Sequence, residues 1–463
     1  MTTQLKSTRG VSRRTFVGAA AAGLTALSAS RVYGASERIG VGIIGFGLIG
    51  RILMRSFMAH SDVSIRAVCD VYQPRLDAAA ELAGGNVAKY GDFRRMLDNR
   101  DIDVVVVATP DHWHALMTML ACAAGKDVYV EKPTSLFVRE GRWMVDVARR
   151  TKRVVQTGTQ NRSGPNFVRA RELIQSGKLG QIVSVQDSSF RNVYPGFGNP
   201  PDQDPPPELD WEMWQGPAPA RRYNPNRAIY HFRWFWDYSG GQMTNLGQHS
   251  LDIVHWFMNV NAPKSVYSTG GRFFLKDNCD VPDTQDVIFE YPGFTTVVQY
   301  REASAGRGGV GMGGVIFMGT YGSMPVGRSG FEIIPDRKVN PQNTVAGILG
   351  GHPVGGPQPV PDEPGYWTEP VVDRSGDSMM DYQRHARNLL DCVKSRKDPI
   401  ADIESGHRVA TACHLANISL KTGRKITWDA EKEQVVGDPE ANWMLVRPYR
   451  APWDRELKAL GVG

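Results

Sequence analysis

The residues able to do chemistry fall into three clusters. Gly45-Phe46-Gly47-Leu48-Ile49-Gly50 has the G-x-G-x-x-G spacing of a dinucleotide-binding turn, and Asp70 stands twenty residues beyond its last glycine. Glycines at these positions permit a tight turn and let a pyrophosphate approach the backbone and the start of the next helix. An acid at the end of the following strand accepts hydrogen bonds from the adenosine ribose and repels a 2′-phosphate. Val71 and Tyr72 follow with no adjacent base, so NAD is favoured and NADP is the alternative. The second cluster is Thr109-Pro110-Asp111-His112-Trp113-His114 together with Glu131-Lys132-Pro133. The third runs from Gly240-Gly241-Gln242 through Asn245 and His249 to Asp252. Histidine and a desolvated lysine both move protons near neutral pH.

Regular elements must hold these clusters in place. The apolar run Ile39–Ile44 precedes the glycine turn, and a helix is predicted from Leu48 to about Ala59. Strands follow at Ile65–Asp70, Asp103–Ala108, Asp127–Val130 and Arg153–Thr157, with a helix over Leu136–Arg150. Unbroken apolar strands are those of a parallel sheet covered on both faces. Residues 36–159 therefore read as a doubly wound α/β Rossmann domain. Thr109 and Glu131-Lys132 then lie at the carboxyl ends of strands, the edge where open α/β sheets bind ligands.

Residues 160–463 have an α+β character. Strands at Ile182–Phe190, Val266–Gly270, Thr284–Tyr291, Thr295–Arg301, Val315–Gly319 and Phe331–Ile334 follow one another with turn residues between most of them. That order predicts a large, open, mainly antiparallel sheet. Flanking helices are predicted at Asn166–Ser176, Asp381–Lys394 and Gly406–Lys421. Residues 194–226, dense in proline, read as a long ordered arm with a role in oligomer contact. Segments 306–314 and 340–365 read as glycine- and proline-rich loops.

The chain has 463 residues, 41% hydrophobic and 22% charged, ordinary for a globular protein. Its formal charge of +6 is uneven, because Lys6, Arg9, Arg13, Arg14 and Arg31 all fall within residues 1–35, which hold no Asp or Glu. The remainder is nearly neutral, which removes the main argument for nucleic acid as a partner. Ser12-Arg13-Arg14-Thr15-Phe16-Val17 matches a twin-arginine (Tat) export signal. The uncharged stretch Phe16–Ala29 falls short of the roughly 20 residues that a spanning helix needs. Residues 1–35 are therefore predicted to be a signal peptide, cut near Tyr33-Gly34-Ala35, that engages the Tat machinery and directs the chain to the periplasm without stable membrane insertion. The five cysteines (Cys69, Cys122, Cys279, Cys392 and Cys413) are odd in number and far apart, giving no disulfide framework.

The strand–glycine turn, the Glu131-Lys132-Pro133 segment and the Gly240-Gly241…His249-x-x-Asp252 segment together resemble the glucose-fructose oxidoreductase / inositol dehydrogenase / MocA family. The resemblance spans essentially all of the chain after the signal. It implies an NAD(P)-dependent oxidoreductase acting on CH–OH groups of a sugar, polyol or glycoside; a homo-oligomer is also expected. Lys132 and His249 match the family's catalytic lysine and histidine, and Thr109 and Glu131 match positions lining the nicotinamide and ribose. Gly45, Phe46, Gly47, Leu48, Ile49, Asp70, Pro110, His112, His114, Lys132 and Gln160 complete the expected cofactor contacts. Many family members carry Asp four residues before the histidine, where this chain has Asn245. A neutral amide holds a hydroxyl but takes no proton, so acid–base work falls on His249 and Lys132.

Oxidation of a carbinol needs a base for the hydroxyl proton and a cation for the developing alkoxide. His249 as base with Lys132 as cation, and Lys132 itself as base, both satisfy that need. Arg162, Arg233, Trp236, Tyr238 and Asp252 are candidate substrate contacts; Phe232–Tyr238 serves packing equally well. A metal set of His249, Asp252 and His255 is not favoured, so no metal is expected. Because the periplasm offers no nicotinamide pool, the cofactor is expected to stay tightly bound. A redox-neutral glycosidase or lyase, using transient ring oxidation, is the second reading; a non-catalytic ligand-binding protein is the third.

Overall fold

A computed structural model of the protein describes residues 38–306, 314–349, 352–359 and 365–463. The predicted signal at 1–35, and positions 307–313 of the predicted loop at 306–314, lie outside the described residues.

Six parallel strands form the first sheet: β1 (Ile39–Ile44), β2 (Val63–Cys69), β3 (Ala88–Tyr90), β4 (Val104–Val107), β5 (Asp127–Val130) and β6 (Val155–Thr157). Their order is β3-β2-β1-β4-β5-β6, so the strand order reverses between β1 and β4, the crevice where such sheets bind dinucleotides. Every residue of β1, β4 and β5 is buried, because helices cover both faces. These are α1 (Leu48–Met58), α2 (Gln73–Leu82), α3 (Asp111–Ala123) and α4 (Val138–Thr151).

Beyond α5 (Pro165–Gln175) the chain builds a ten-stranded sheet. Its strands are β7 (Ile182–Phe190), β8 (Ser265–Gly271), β9 (Thr284–Tyr291), β10 (Phe294–Arg301), β11 (Val315–Gly319), β12 (Gly322–Gly327), β13 (Gly330–Pro335), β16 (Val371–Asp373), β17 (Ile426–Asp429) and β18 (Gln434–Val435). The order is β16-β13-β12-β11-β7-β10-β9-β8-β17-β18. Only the β7–β10 pair is parallel. Hydrophobic residues alternate along these strands, and the inner face packs on α5 and on two helices described below.

One expectation fails here. Residues 340–365, read as a loop, contain the antiparallel hairpin β14 (Val339–Leu349) and β15 (His352–Pro359). Pro and Gly lower strand propensity locally, but a partner strand in register supplies pairing that local composition does not report.

The arm at 194–226 is irregular except for the short helix α6 (Trp211–Gln215). It then leads into α7 (Gly241–Asn245) and α8 (Gly247–Met258). Late helices α9 (Ser378–Ser395) and α10 (Ile403–Thr422) return toward the first sheet. Ala386, Leu389 and Leu390 of α9 join Leu53 and Phe57 on one of its faces. Ile403, Tyr449, Trp453 and Leu457 join Leu116 and Val145 on the other. The two sheets are thus clasped by one chain, with α8 and α10 between them.

Candidate active site

The groove at the carboxyl edge of the first sheet is lined by the glycine turn, Asp70, Thr109 and Pro110. Gly45 has φ +87°, and a Cβ there would lie 2.6 Å from the Ala108 carbonyl. A Cβ on Gly50 would lie 2.1 Å from the Gly45 carbonyl, so only glycine lets α1 start this close to β1. The start of α1 has no side-chain cap and no acid in its first turn, leaving backbone N–H groups for an anion. Asp70 accepts from Phe46 N at 2.8 Å and Tyr72 N at 2.9 Å, which aims its carboxylate across the groove. Burial raises the proton affinity of Asp70 against these bonds. Outside the lining of this groove, both amide atoms of Gln160 and one oxygen of Glu131 are buried without a partner. An uncapped helix start behind a tight glycine turn, with a buried acid at the end of the next strand, fits a nicotinamide dinucleotide.

The arm forms the roof of this groove. Gln73 N donates to Glu208 O at 2.9 Å and Asp210 N to Val71 O at 3.0 Å, so residues 208–210 run beside Asp70. Leu209, Met213, Trp214, Tyr230, Phe232 and Arg233 line the groove from above. The Trp214 carbonyl accepts from His112 Nε2 and Trp113 Nε1, each at 3.0 Å. The arm thus packs on the nucleotide domain of its own chain.

Lys132, at the end of β5, donates from Nζ to the Asn245 carbonyl at 2.8 Å and to Asn245 Oδ1 at 2.9 Å. The carbonyl is available because the helix breaks between α7 and α8. His249 N, which would take Asn245 O in a continuous helix, bonds Leu246 O instead at 2.9 Å. Burial lowers the Lys132 pKa to about 8, opposed by the adjacent Glu131, whose own carboxyl burial pushes up. His249 is buried, and desolvation with the Lys132 and Arg328 charges holds its imidazole well below the usual histidine range. It is therefore a neutral ring at neutral pH, with Nδ1 buried and unpartnered. Arg233 lines the groove and acts electrostatically on both Glu131 and Lys132.

Other predicted residues serve different ends. Arg162 and Asp252, expected to touch substrate, are committed to each other in a buried pair at 2.7–3.0 Å. The pair joins the start of the second domain to α8, and it takes Asp252 from the metal set with His249 and His255. Tyr238, also expected at the substrate, is fully buried against Trp214 and His112. The ring of Trp236 lies under Lys421, 3.7 Å from its Nζ. The His112 ring sits in the same aromatic packing, and His114 spans Pro133 O at 2.6 Å and Thr109 O at 2.9 Å. These two histidines hold the site's loops and do not line the groove. Aromatic and polar residues near a motif carry no sign of which way they face, and the tertiary fold turned these inward. Arg75, Met213 and Tyr230 in the groove and Arg328 near His249 stand outside the motifs legible in the sequence. Only Arg75, in the first turn of α2 after Asp70, carried a local signal. Among the described residues, no three His, Cys, Asp or Glu side chains form a metal-binding group, all five cysteines are buried and free, and no helix is long and apolar enough to cross a membrane.

Comparison with known proteins places this arrangement. Residues 39–159 match the model described as "oxidoreductase family, NAD-binding Rossmann fold", and residues 166–269 and 367–455 match that family's C-terminal alpha/beta domain. Inositol 2-dehydrogenase of Salmonella typhimurium strain LT2 is 28% identical over 248 residues, 53% of this chain and 60% of that protein. Glycosyl hydrolase family 109 protein 1 of Shewanella sp. strain MR-4 is 29% identical over 233 residues, 49% of this chain and 45% of that protein. The matches thus span only about half the length of these curated relatives. A solved levoglucosan dehydrogenase, in complex with NADH and levoglucosan, superposes with a TM-score of 0.62 at 17% identity, covering 84% of this chain and 99% of that one. At that identity the likeness establishes the fold.

Proposed function

The chain belongs to the oxidoreductase family whose nucleotide-binding and C-terminal domains it matches, and on that premise we propose that it oxidises a CH–OH group of a sugar, polyol or glycoside with NAD. The observation that carries this reading is the Lys132 ammonium, beside Glu131 just past the carboxyl end of β5, held by two Asn245 oxygens and lowered toward neutrality by burial. When bound, NAD supplies the hydride acceptor. Gly45, Gly47 and the start of α1 would hold its pyrophosphate, Asp70 the adenosine ribose, and Thr109, Glu131 and Gln160 its nicotinamide end.

Lys132 is the proton-transfer residue in this reading. A lysine with a pKa of about 8 is partly neutral at working pH and can accept the hydroxyl proton, then release it to solvent. His249, neutral and buried, orients the substrate hydroxyl by hydrogen bonding. The roof formed by residues 208–233 supports a cofactor that stays bound through turnover. Release of that cofactor during purification would count against this part of the proposal. The twin-arginine motif at Arg13-Arg14 supports export to the periplasm, where such retention has its use. The decisive test is a panel of sugars and polyols, read as nicotinamide absorbance in the purified protein. Absence of any redox signal together with no glycoside cleavage would refute the enzyme reading.

A second reading has its own support. The Shewanella relatives are named as glycosyl hydrolases, and Asn245 departs from the acid common in the dehydrogenases. Redox-neutral cleavage would release phenol from aryl glycosides with no added acceptor, whereas net oxidation would not.

A further inference from the structure

The contact between Lys132 and Asn245 is one end of a longer chain of hydrogen bonds. Asn245 Nδ2 donates to Gln242 Oε1 at 2.9 Å, and Gln242 Nε2 donates to Glu302 Oε1 at 2.5 Å. The other Glu302 oxygen takes Arg191 Nε at 2.7 Å and pairs with Arg191 Nη2. Gln242 and Glu302 are both buried, while Arg191 reaches partly into solvent and stacks over Trp234.

An isolated amide has two orientations that differ only by exchange of oxygen and nitrogen. Here the carboxylate at the far end removes the choice. Glu302, ion-paired with Arg191, offers acceptors only, so Gln242 turns its NH₂ toward Glu302 and its oxygen toward Asn245. Asn245 must then give its NH₂ to that oxygen, which leaves its own oxygen facing Lys132. Every bond in the chain points one way. An aspartate at 245 would need no such arrangement, because either of its oxygens accepts.

We propose that Glu302, anchored by Arg191, is a positioning residue that fixes the polarity of a Glu302–Gln242–Asn245 relay and so keeps an amide oxygen on the Lys132 ammonium. The relay moves the carboxylate two amides away from position 245 while preserving its directional effect on the lysine. The inference rests on the reading that Lys132 transfers the proton, but the relay itself is measurable without turnover. Glu302→Gln can donate as well as accept. It lets both amides reverse, turning the Asn245 NH₂ toward Lys132 as donor against donor, which disfavours the charged lysine.

The test is competitive acetylation of Lys132 in the NAD-loaded protein, followed by mass spectrometry of the Lys132 peptide across pH. Glu302→Gln is expected to move the Lys132 midpoint down by about one pH unit, equivalent to about ten-fold more neutral lysine below the midpoint. Gln242→Leu breaks the relay at its centre, leaves the Arg191 pair intact and should shift the midpoint the same way. In an Asn245→Asp background, Glu302→Gln should move nothing. An unchanged midpoint in both single variants would overturn the proposal. So would an equal shift in the Asn245→Asp background, which would mean simple loss of a distant charge. Failure to turn over any substrate would remove the oxidoreductase reading and leave this measurement standing.

Discussion

The Lys132 ammonium lies between the two oxygens of a single residue, 2.8 Å from the Asn245 carbonyl and 2.9 Å from its amide oxygen. One of these oxygens exists as an acceptor only because the helix breaks after Asn245. The lysine is therefore held by the backbone as well as by the side chain, so replacing Asn245 should weaken its grip without abolishing it.

Activity should follow the ionisation of Lys132. The folded protein lowers its pKa from the ordinary lysine range to about 8, and the neutral form accepts the proton. The rate should therefore climb with pH up to about 8 and level off above it. Lys132→Met should lower kcat by about 10²–10⁴-fold, the usual worth of a positioned proton-transfer group, with bound dinucleotide retained. A flat pH profile from 6 to 9 would sink the assignment.

The Arg162–Asp252 pair is expected to act on stability and not on substrate affinity. Asp252→Asn leaves the buried Arg162 charge uncompensated, at a cost of about 3–5 kcal/mol. Arg162→Met with Asp252→Leu should recover most of that loss. Thermal unfolding of the three proteins measures this, and KM of the folded fraction should stay within about two-fold, below 0.5 kcal/mol.

Cofactor retention should depend on the roof. Gly216 has φ +51°, and a Cβ there would sit 2.0 Å from the Trp113 ring. Gly216→Ala should therefore lift the arm and speed dinucleotide release by at least about ten-fold, or about 1.4 kcal/mol. Stopped-flow chase of the bound cofactor would measure it, and an unchanged release rate would contradict the roof's role.

Asp70 should set the choice of nucleotide. Removing its charge with Asp70→Ser, beside Arg75 in the same groove, should raise the NADP-to-NAD affinity ratio by about ten-fold or more. Calorimetric titration of the emptied protein with each nucleotide checks the direction.

Export is expected to need both arginines of the signal. Arg13→Lys with Arg14→Lys should leave uncleaved precursor in the cytoplasm, detected by fractionation. Periplasmic mature protein from that variant would remove the twin-arginine reading.

The nucleotide half was legible from local pattern alone. Fully apolar β-strands, a glycine turn and an acid at a strand end are short-range signals, and β1, β5 and the placement of Asp70 needed nothing from afar. The same holds for Lys132 at the end of β5 and for His249 on a helix. The hairpin β14–β15 escaped because strand pairing is a relation between two segments, and each alone is rich in Pro and Gly. Tyr238, Arg162 and Asp252 were drawn to the substrate and His112 to the cofactor by their chemistry, and burial turned them to packing and ion pairing instead.

Residue types, spacing and periodicity by themselves determined the nucleotide half, because glycine turns and apolar strands act within a few residues of one another, and the resemblance carried by the motifs pointed to the family and to Lys132 and His249 as proton-transfer candidates. Tertiary structure alone decided what those candidates can do. Burial separates a neutral His249 from a poised Lys132, and the arm closes over the groove. Glu302, 57 positions beyond Asn245 in the chain, turns its amide through a contact that no local spacing could announce. Desolvation and hydrogen-bond direction depend on which atoms surround a group, and only the folded chain sets those neighbours.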